Sequence, residues 1–137
     1  MTIDEIKKFL GQAYYLDKRV EVLKDELETL ESRLQKCTAS YTTTITMGGS
    51  RQSFEMTLDK VLKYRDMLSY ELSCLVDRKK EIESAIKRLD DDRQKIILYK
   101  RYINFQTFET ISLDIGLEVR QVYRLHKKAL QNLSKIL

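Results

Sequence analysis

The chain reads as all-α: a long antiparallel helical hairpin followed by a compact three-helix module. Three observations carry this expectation. Proline is absent and glycine occurs four times in 137 residues, so little interrupts a helix. Apolar residues recur at heptad spacing through most of the first 89 positions. Charge is uneven along the chain. Residues 1–92 hold sixteen Lys/Arg against eighteen Asp/Glu, a net of −2, whereas residues 93–137 hold nine against three, a net of +6. Only the last third therefore suits a polyanionic partner. The expected organisation is a coiled-coil-like arm over residues 1–89, with a loop at 38–54, and a basic module over residues 90–137.

The first helix is expected over residues 3–37. Ile6, Ala13, Val20, Leu27 and Leu34 are seven apart, and Phe9, Leu16, Leu23 and Leu30 fill the +3 positions. Nine consecutive a/d seats are thus apolar, which is a strong seam signal. Cys37-Thr-Ala-Ser-Tyr-Thr-Thr-Thr then brings small and β-branched residues that weaken helical preference. Residues 38–54 read as a loop, with a short extended piece at Thr42–Met47. Gly48-Gly49-Ser50 lacks the Lys-Ser/Thr of a phosphate loop and reads as a linker.

The second helix is expected from Phe54 to Leu89. Leu58, Val61, Leu68, Leu72, Leu75, Ile82, Ile86 and Leu89 keep the 3,4 spacing. Arg65 and Lys79 occupy the two a-type seats that break it. Such residues can select register, but their stems more readily lie along the edge of a seam with the charge in water. Two helices of similar length joined by one loop fold back antiparallel. That brings Leu34 near Leu58, Val20 near Leu72 and Ile6 near Ile86. Tyr14, Tyr15, Leu62, Tyr64, Met67, Tyr70 and Val76 are left off the seam. They point to cover by the C-terminal module or by a second protomer, hence to a homodimer.

Asp90-Asp91-Asp92 suits a helix N-terminus, where free N–H groups and the dipole favour anions. Three adjacent acids at a helix start supply too few oxygen ligands for a divalent metal. Ile97 and Leu98 begin this helix's core, and Tyr102 and Phe105 close its end around Asn104. Thr107 is placed to cap the next helix, whose buried stripe is Phe108, Ile111 and Ile115. Gly116 stops it. The last helix spans 118–134, with Val122, Leu125, Ala129 and Leu133 facing inward.

That phase leaves Val119, Arg120, Gln121, Tyr123 and Arg124 on the first two turns of the outer face, with Lys127 and Lys128 beyond. A helix held by its apolar side and carrying Arg, Gln and Lys on the other fits the major groove of double-stranded DNA. Arg bridges guanine O6 and N7, and Gln bridges adenine N6 and N7. Lys127 and Lys128 suit phosphate. Each of these residues has a plainer reading as solvated surface charge. His126 flanks the buried stripe and reads as a packing or hydrogen-bonding residue.

No catalytic residues are expected. The chain offers no nucleophile–base pair, paired-carboxylate motif, nucleotide loop or cofactor site. Cys37 and Cys74 lack metal-ligand spacing, and a single His does not complete a zinc site with them. They read as ordinary reduced thiols of a cytoplasmic protein. Asp4, Glu5, Lys7 and Lys8 interrupt any signal-peptide run, and no stretch approaches the roughly twenty apolar residues of a membrane span.

Arg101-Tyr102, the stretch Ile111 to Gly116, and Val122-Tyr-Arg-Leu-His-Lys-Lys-Ala-Leu130 resemble region four of bacterial sigma factors, the helix-turn-helix that reads the −35 promoter element. Together with the long N-terminal coil and its Tyr15-Leu-Asp17-Lys-Arg19 segment, the whole chain resembles the phage-encoded transcriptional regulators of the ArpU/RinA type, from prophages of Gram-positive bacteria. The resemblance is specific in the last 45 residues and diffuse in the coils. It implies an activator of late or lysis-related phage genes that works with host RNA polymerase. Glu118 departs from the usual Ser or Thr before the recognition helix, and the regions of a sigma factor that melt DNA have no counterpart. An adaptor that docks on polymerase or a phage protein without reading DNA is the competing expectation.

Overall fold

The computed structural model describes the backbone of residues 1–43 and 48–137, and the side chains of 1–39 and 51–137. All regular structure among the described residues is helical. In chain order the elements are α1 (Ile3–Leu10), α2 (Gln12–Thr43), α3 (Gly48–Ile86), α4 (Asp92–Leu98), a π-helical turn (Tyr99–Ile103), α5 (Phe108–Ile115) and α6 (Val119–Ile136). No helix among the described residues is long and apolar enough to cross a membrane.

The front of the chain is more helical than expected in one place and less in another. The Thr/Ser-rich stretch after Cys37 continues as helix to Thr43, and Gly48-Gly49-Ser50 begins α3. Of the loop expected at 38–54, positions 38–43 and 48–54 are therefore helical. Within the first of these stretches the Thr38 hydroxyl donates back to the Leu34 carbonyl (2.9 Å), as a threonine inside a helix does. The extended piece expected at Thr42–Met47 falls on helix at 42–43 and otherwise lies outside the described residues. Conversely, the helix expected over 3–37 is broken at Gly11, between α1 and α2. A Cβ on Gly11 would stand only 3.1 Å from the Lys7 carbonyl oxygen, so the tight junction favours glycine.

Packing divides the chain into two compact units, and both long helices contribute to each: Asp17–Cys74 forms one, and Met1–Leu16 with Leu75–Leu137 the other. The division expected at residue 89/90 followed the step in charge and the end of the heptads. Packing follows the apolar faces instead: α1 joins the C-terminal module because Ile6 and Leu10 are fully buried there and α1 packs on α6.

In the Asp17–Cys74 unit, Val20, Leu30 and Val61 are buried, and the other seam residues are half-buried. Arg19 pairs with the mostly buried Glu71, Arg65 with Glu31 (3.0 Å), and the Cys37 thiol approaches the Thr57 hydroxyl (4.0 Å). Sequence positions thus run in opposite directions along the two partners. Each contact lies within one turn of the register in which position 20 meets 72 and 34 meets 58. Arg65 lies at the exposed edge, where its guanidinium meets the Glu31 carboxylate of the facing helix.

In the other unit α6 is the central element, contacting α1, α4 and α5. Val122, Ala129, Leu130 and Leu133 are buried along it, with Leu125 at the edge. Ile97, Ile111, Val122 and Leu125 form the core beneath the last helices, with Phe108, Ile115 and Leu117 packed around it. Two caps fall where the sequence places them: Asp91 accepts from the N–H groups of Arg93 (2.9 Å) and Gln94 (3.2 Å), and Thr107 from that of Thr110 (3.2 Å). Thr2 adds a third, accepting from the Glu5 N–H (3.2 Å).

Gly116 ends α5 in the left-handed region, with φ at 70°. Its N–H and that of Leu117 both donate to the Ser112 carbonyl, and the Ser112 hydroxyl donates to the Leu117 carbonyl. A Cβ at Gly116 would meet nothing within 4 Å, so the constraint is backbone conformation alone. Gly116→Ala should accordingly lower stability by about 1–2 kcal/mol. Gly116→Asn should cost less, because Asn tolerates this region better. Chemical denaturation of the three proteins measures both.

Candidate nucleic-acid interface

Every polar residue singled out on the last helix is exposed. Arg120, Gln121, Arg124, Lys127 and Lys128 lie outward on α6, and Tyr123 is 48% exposed. Val119 is half-buried at the first turn. The buried face opposite is the Val122–Leu125–Ala129–Leu133 stripe. One helix therefore presents four cations and an amide within nine residues, on a backbone fixed from behind. Glu118 precedes α6 in extended conformation but makes no side-chain capping bond, so the first N–H groups of α6 carry no side-chain partner from it.

The sequence did not reveal the aromatic cluster that joins α5 to α6. Tyr123 packs on Phe108, with ring centroids 4.5 Å apart and planes tilted by 38°. The Arg101 guanidinium covers Phe108 at 4.5 Å from its centroid. His126 meets the same ring edge-on at 4.9 Å. His126 also stacks on Tyr102, and the Tyr102 hydroxyl lies 2.8 Å from Nε2. Arg101 is held in turn, donating to the Gln106 carbonyl (3.0 Å). The only signal in the sequence was composition: four aromatics and the one His within 25 positions, with no shared period.

Behind the cluster sits the π-helical turn Tyr99–Ile103, where one helix was expected to run on unbroken. It closes through the Asn104 N–H to the Tyr99 carbonyl (3.2 Å). The wider turn ends at Phe105, whose φ of 57° is rare for a large side chain. Lys79 lies over the Phe105 ring (5.0 Å), and Tyr14 meets it edge-on (5.8 Å). The strained backbone is thus fixed by contacts on two sides. Lys79, expected merely to edge a seam, is engaged in a cation–π contact.

Electrostatics follow from this enclosure. Burial lowers the His126 pKa to about 4, aided by the nearby positive charges of Arg101 and Lys7. Burial raises that of Tyr102, opposed by Arg101. His126 is therefore neutral at physiological pH, which lets the Tyr102 phenol donate to an unprotonated Nε2. Lys100, by contrast, reaches Asp114 (3.4 Å) and ties the π-helical turn to α5.

Comparison with protein-family models, with curated proteins and with solved structures returned no match.

A histidine whose folded pKa lies below its unfolded value of 6.5 leaves the unfolded chain binding more protons between the two. Its contribution to stability is complete above about pH 6.5 and is lost as pH falls towards 4. The slope from this group is at most about 1.4 kcal/mol per pH unit. Denaturation between pH 7 and 4.5 should show this fall, and His126→Phe should flatten it. Because the chain holds one His, its NMR titration reads the pKa directly. A midpoint near 6.5 would mean that the ring is not enclosed.

Proposed function

We propose that the protein is a sequence-specific, DNA-binding regulator of transcription. In this reading α5, Gly116 and α6 form a helix-turn-helix, and α6 enters the major groove. Val119, Arg120, Gln121, Tyr123 and Arg124 meet base edges or nearby phosphates, and Lys127 and Lys128 meet phosphates. The single observation that carries the reading is the exposed Arg120–Gln121–Arg124 set on a helix whose opposite face is buried. The +6 charge of residues 93–137 supports it. So does the left-handed glycine between two helices that share one core.

The long α2 and α3 helices act as an antiparallel hairpin arm. Val22, Met56, Leu62, Met67 and Tyr70 remain exposed on them, which favours a second protomer and hence a homodimer. The resemblance to phage regulators of the ArpU/RinA type adds the direction of control: activation of late phage genes together with host RNA polymerase, inside the bacterial cytoplasm. A polymerase-docking adaptor that does not read DNA is the second reading. It is favoured by the apolar side chains that the C-terminal unit leaves exposed: Leu113 (84% exposed), Ile96 and Tyr99.

Selection of duplexes from random sequence, followed by gel-shift titration, separates the two readings. The regulator should enrich one motif and lose affinity as salt rises. Arg120→Ala and Arg124→Ala should each cost about 1–3 kcal/mol on the selected duplex and relax selectivity. Lys127→Ala and Lys128→Ala should weaken all duplexes alike. Light scattering at micromolar concentration should give the mass of a dimer, and a monomer would remove the second protomer. Failure to enrich any motif would leave the adaptor.

Transcription reconstituted with host polymerase holoenzyme tests the direction of control. Full-length protein should raise transcript yield from a promoter carrying the selected motif. A lower yield would make the protein a repressor.

A further inference from the structure

We infer that Tyr123 reads the C5-methyl group of one thymine, and that Phe108 is the positioning residue that holds it there. The inference rests on the DNA-binding reading above and adds to it a base and a mechanism of recognition.

The outer face of α6 is otherwise polar. Arg120, Gln121, Arg124, Lys127 and Lys128 offer hydrogen bonds and charge, and Val119 is half-buried. Tyr123 is the one large apolar surface among them, at 48% exposure. In the major groove the thymine methyl is the one apolar landmark, and only contact with an apolar surface recognises it. The four cations around Tyr123 already supply donors for phosphate. Its ring supplies what they lack.

A single methyl contact is worth little, so it discriminates only if ordering the side chain does not consume the gain. Tyr123 is ordered before DNA arrives. One side of its ring rests on Phe108 at 4.5 Å between centroids. Phe108 does not yield, because the Arg101 guanidinium covers it and the His126 ring abuts it. His126 is anchored by the Tyr102 hydroxyl (2.8 Å), and Arg101 by the Gln106 carbonyl (3.0 Å). The ring thus has a fixed inner side and a free outer side, on the turn of α6 that follows Arg120 and Gln121.

Full-length protein and a duplex selected from random sequence provide the test. Each thymine in the bound site is replaced, one at a time, by deoxyuridine, which removes the methyl group and nothing else. Fluorescence anisotropy gives the affinities. One position should weaken binding about three- to fivefold with the wild type, the value of one buried methyl-sized group. Tyr123→Phe should keep that sensitivity. Tyr123→Ala should bind the unmodified duplex more weakly and lose the sensitivity. Phe108→Leu, with its melting followed by circular dichroism, should reduce the sensitivity while selective binding persists.

A flat deoxyuridine scan with selective binding intact overturns the inference and leaves the DNA-binding reading standing. Loss with Tyr123→Phe equal to that with Tyr123→Ala reassigns the residue to phosphate contact through its hydroxyl. Absence of selective binding to any duplex overturns both, and is seen with the wild type alone.

Discussion

The apolar stripe of α6 is the constraint on which the C-terminal unit depends. Val122, Leu125, Ala129, Leu130 and Leu133 meet α1, α4 and α5 along one helix. Each of those partners is eight residues or fewer, too short to be stable alone. Their order comes from the surface they share. The same stripe fixes the rotation of α6, and with it which side chains face outward. Shifting the stripe by one residue would turn Arg120 and Arg124 away from their common face.

Polar bonds refine this arrangement at the far end of α6. The Asn132 amide donates to the Gln94 side-chain carbonyl (2.9 Å), and Gln94 is almost fully buried. The Arg88 guanidinium donates to the Ile136 carbonyl (3.3 Å). A buried amide left without its partner would carry a desolvation cost, so the Gln94–Asn132 pair resists sliding of α4 along α6. Apolar packing sets the phase of the helix, and these bonds set its position along its axis.

Much of this was legible in the sequence, for identifiable reasons. Heptad spacing, an N-capping Asp or Thr, and a glycine between two periodic runs are local signals, and Asp91, Thr107 and Gly116 behave as those signals require. The inward residues of α6 follow from period alone, and so do the outward ones. What period does not encode is where apolar faces go when several partners compete for them. Ile6 and Phe9 fit the heptad seam, yet α1 packs on α6 and buries Ile6 and Leu10, with Phe9 only half-buried. The Gly11 break was hidden because the apolar rhythm passes through it. The left-handed Phe105 was illegible for a different reason: it is held by contacts from Lys79 and Tyr14, which lie far away in sequence. The burial of Gln94 had no signal in the sequence, because its partner Asn132 lies far along the chain.

The pairing of α1 with α6 also bears on the protein's synthesis. More than a hundred residues separate Ile6 and Leu10 from the helix against which they pack. As the chain leaves the ribosome, that apolar pair has no native cover until α6 follows. The Asp17–Cys74 unit, which is compact by itself, can form meanwhile. α1 thus emerges well before the helix that covers it. Over that interval its apolar face is exposed to chaperones and proteases.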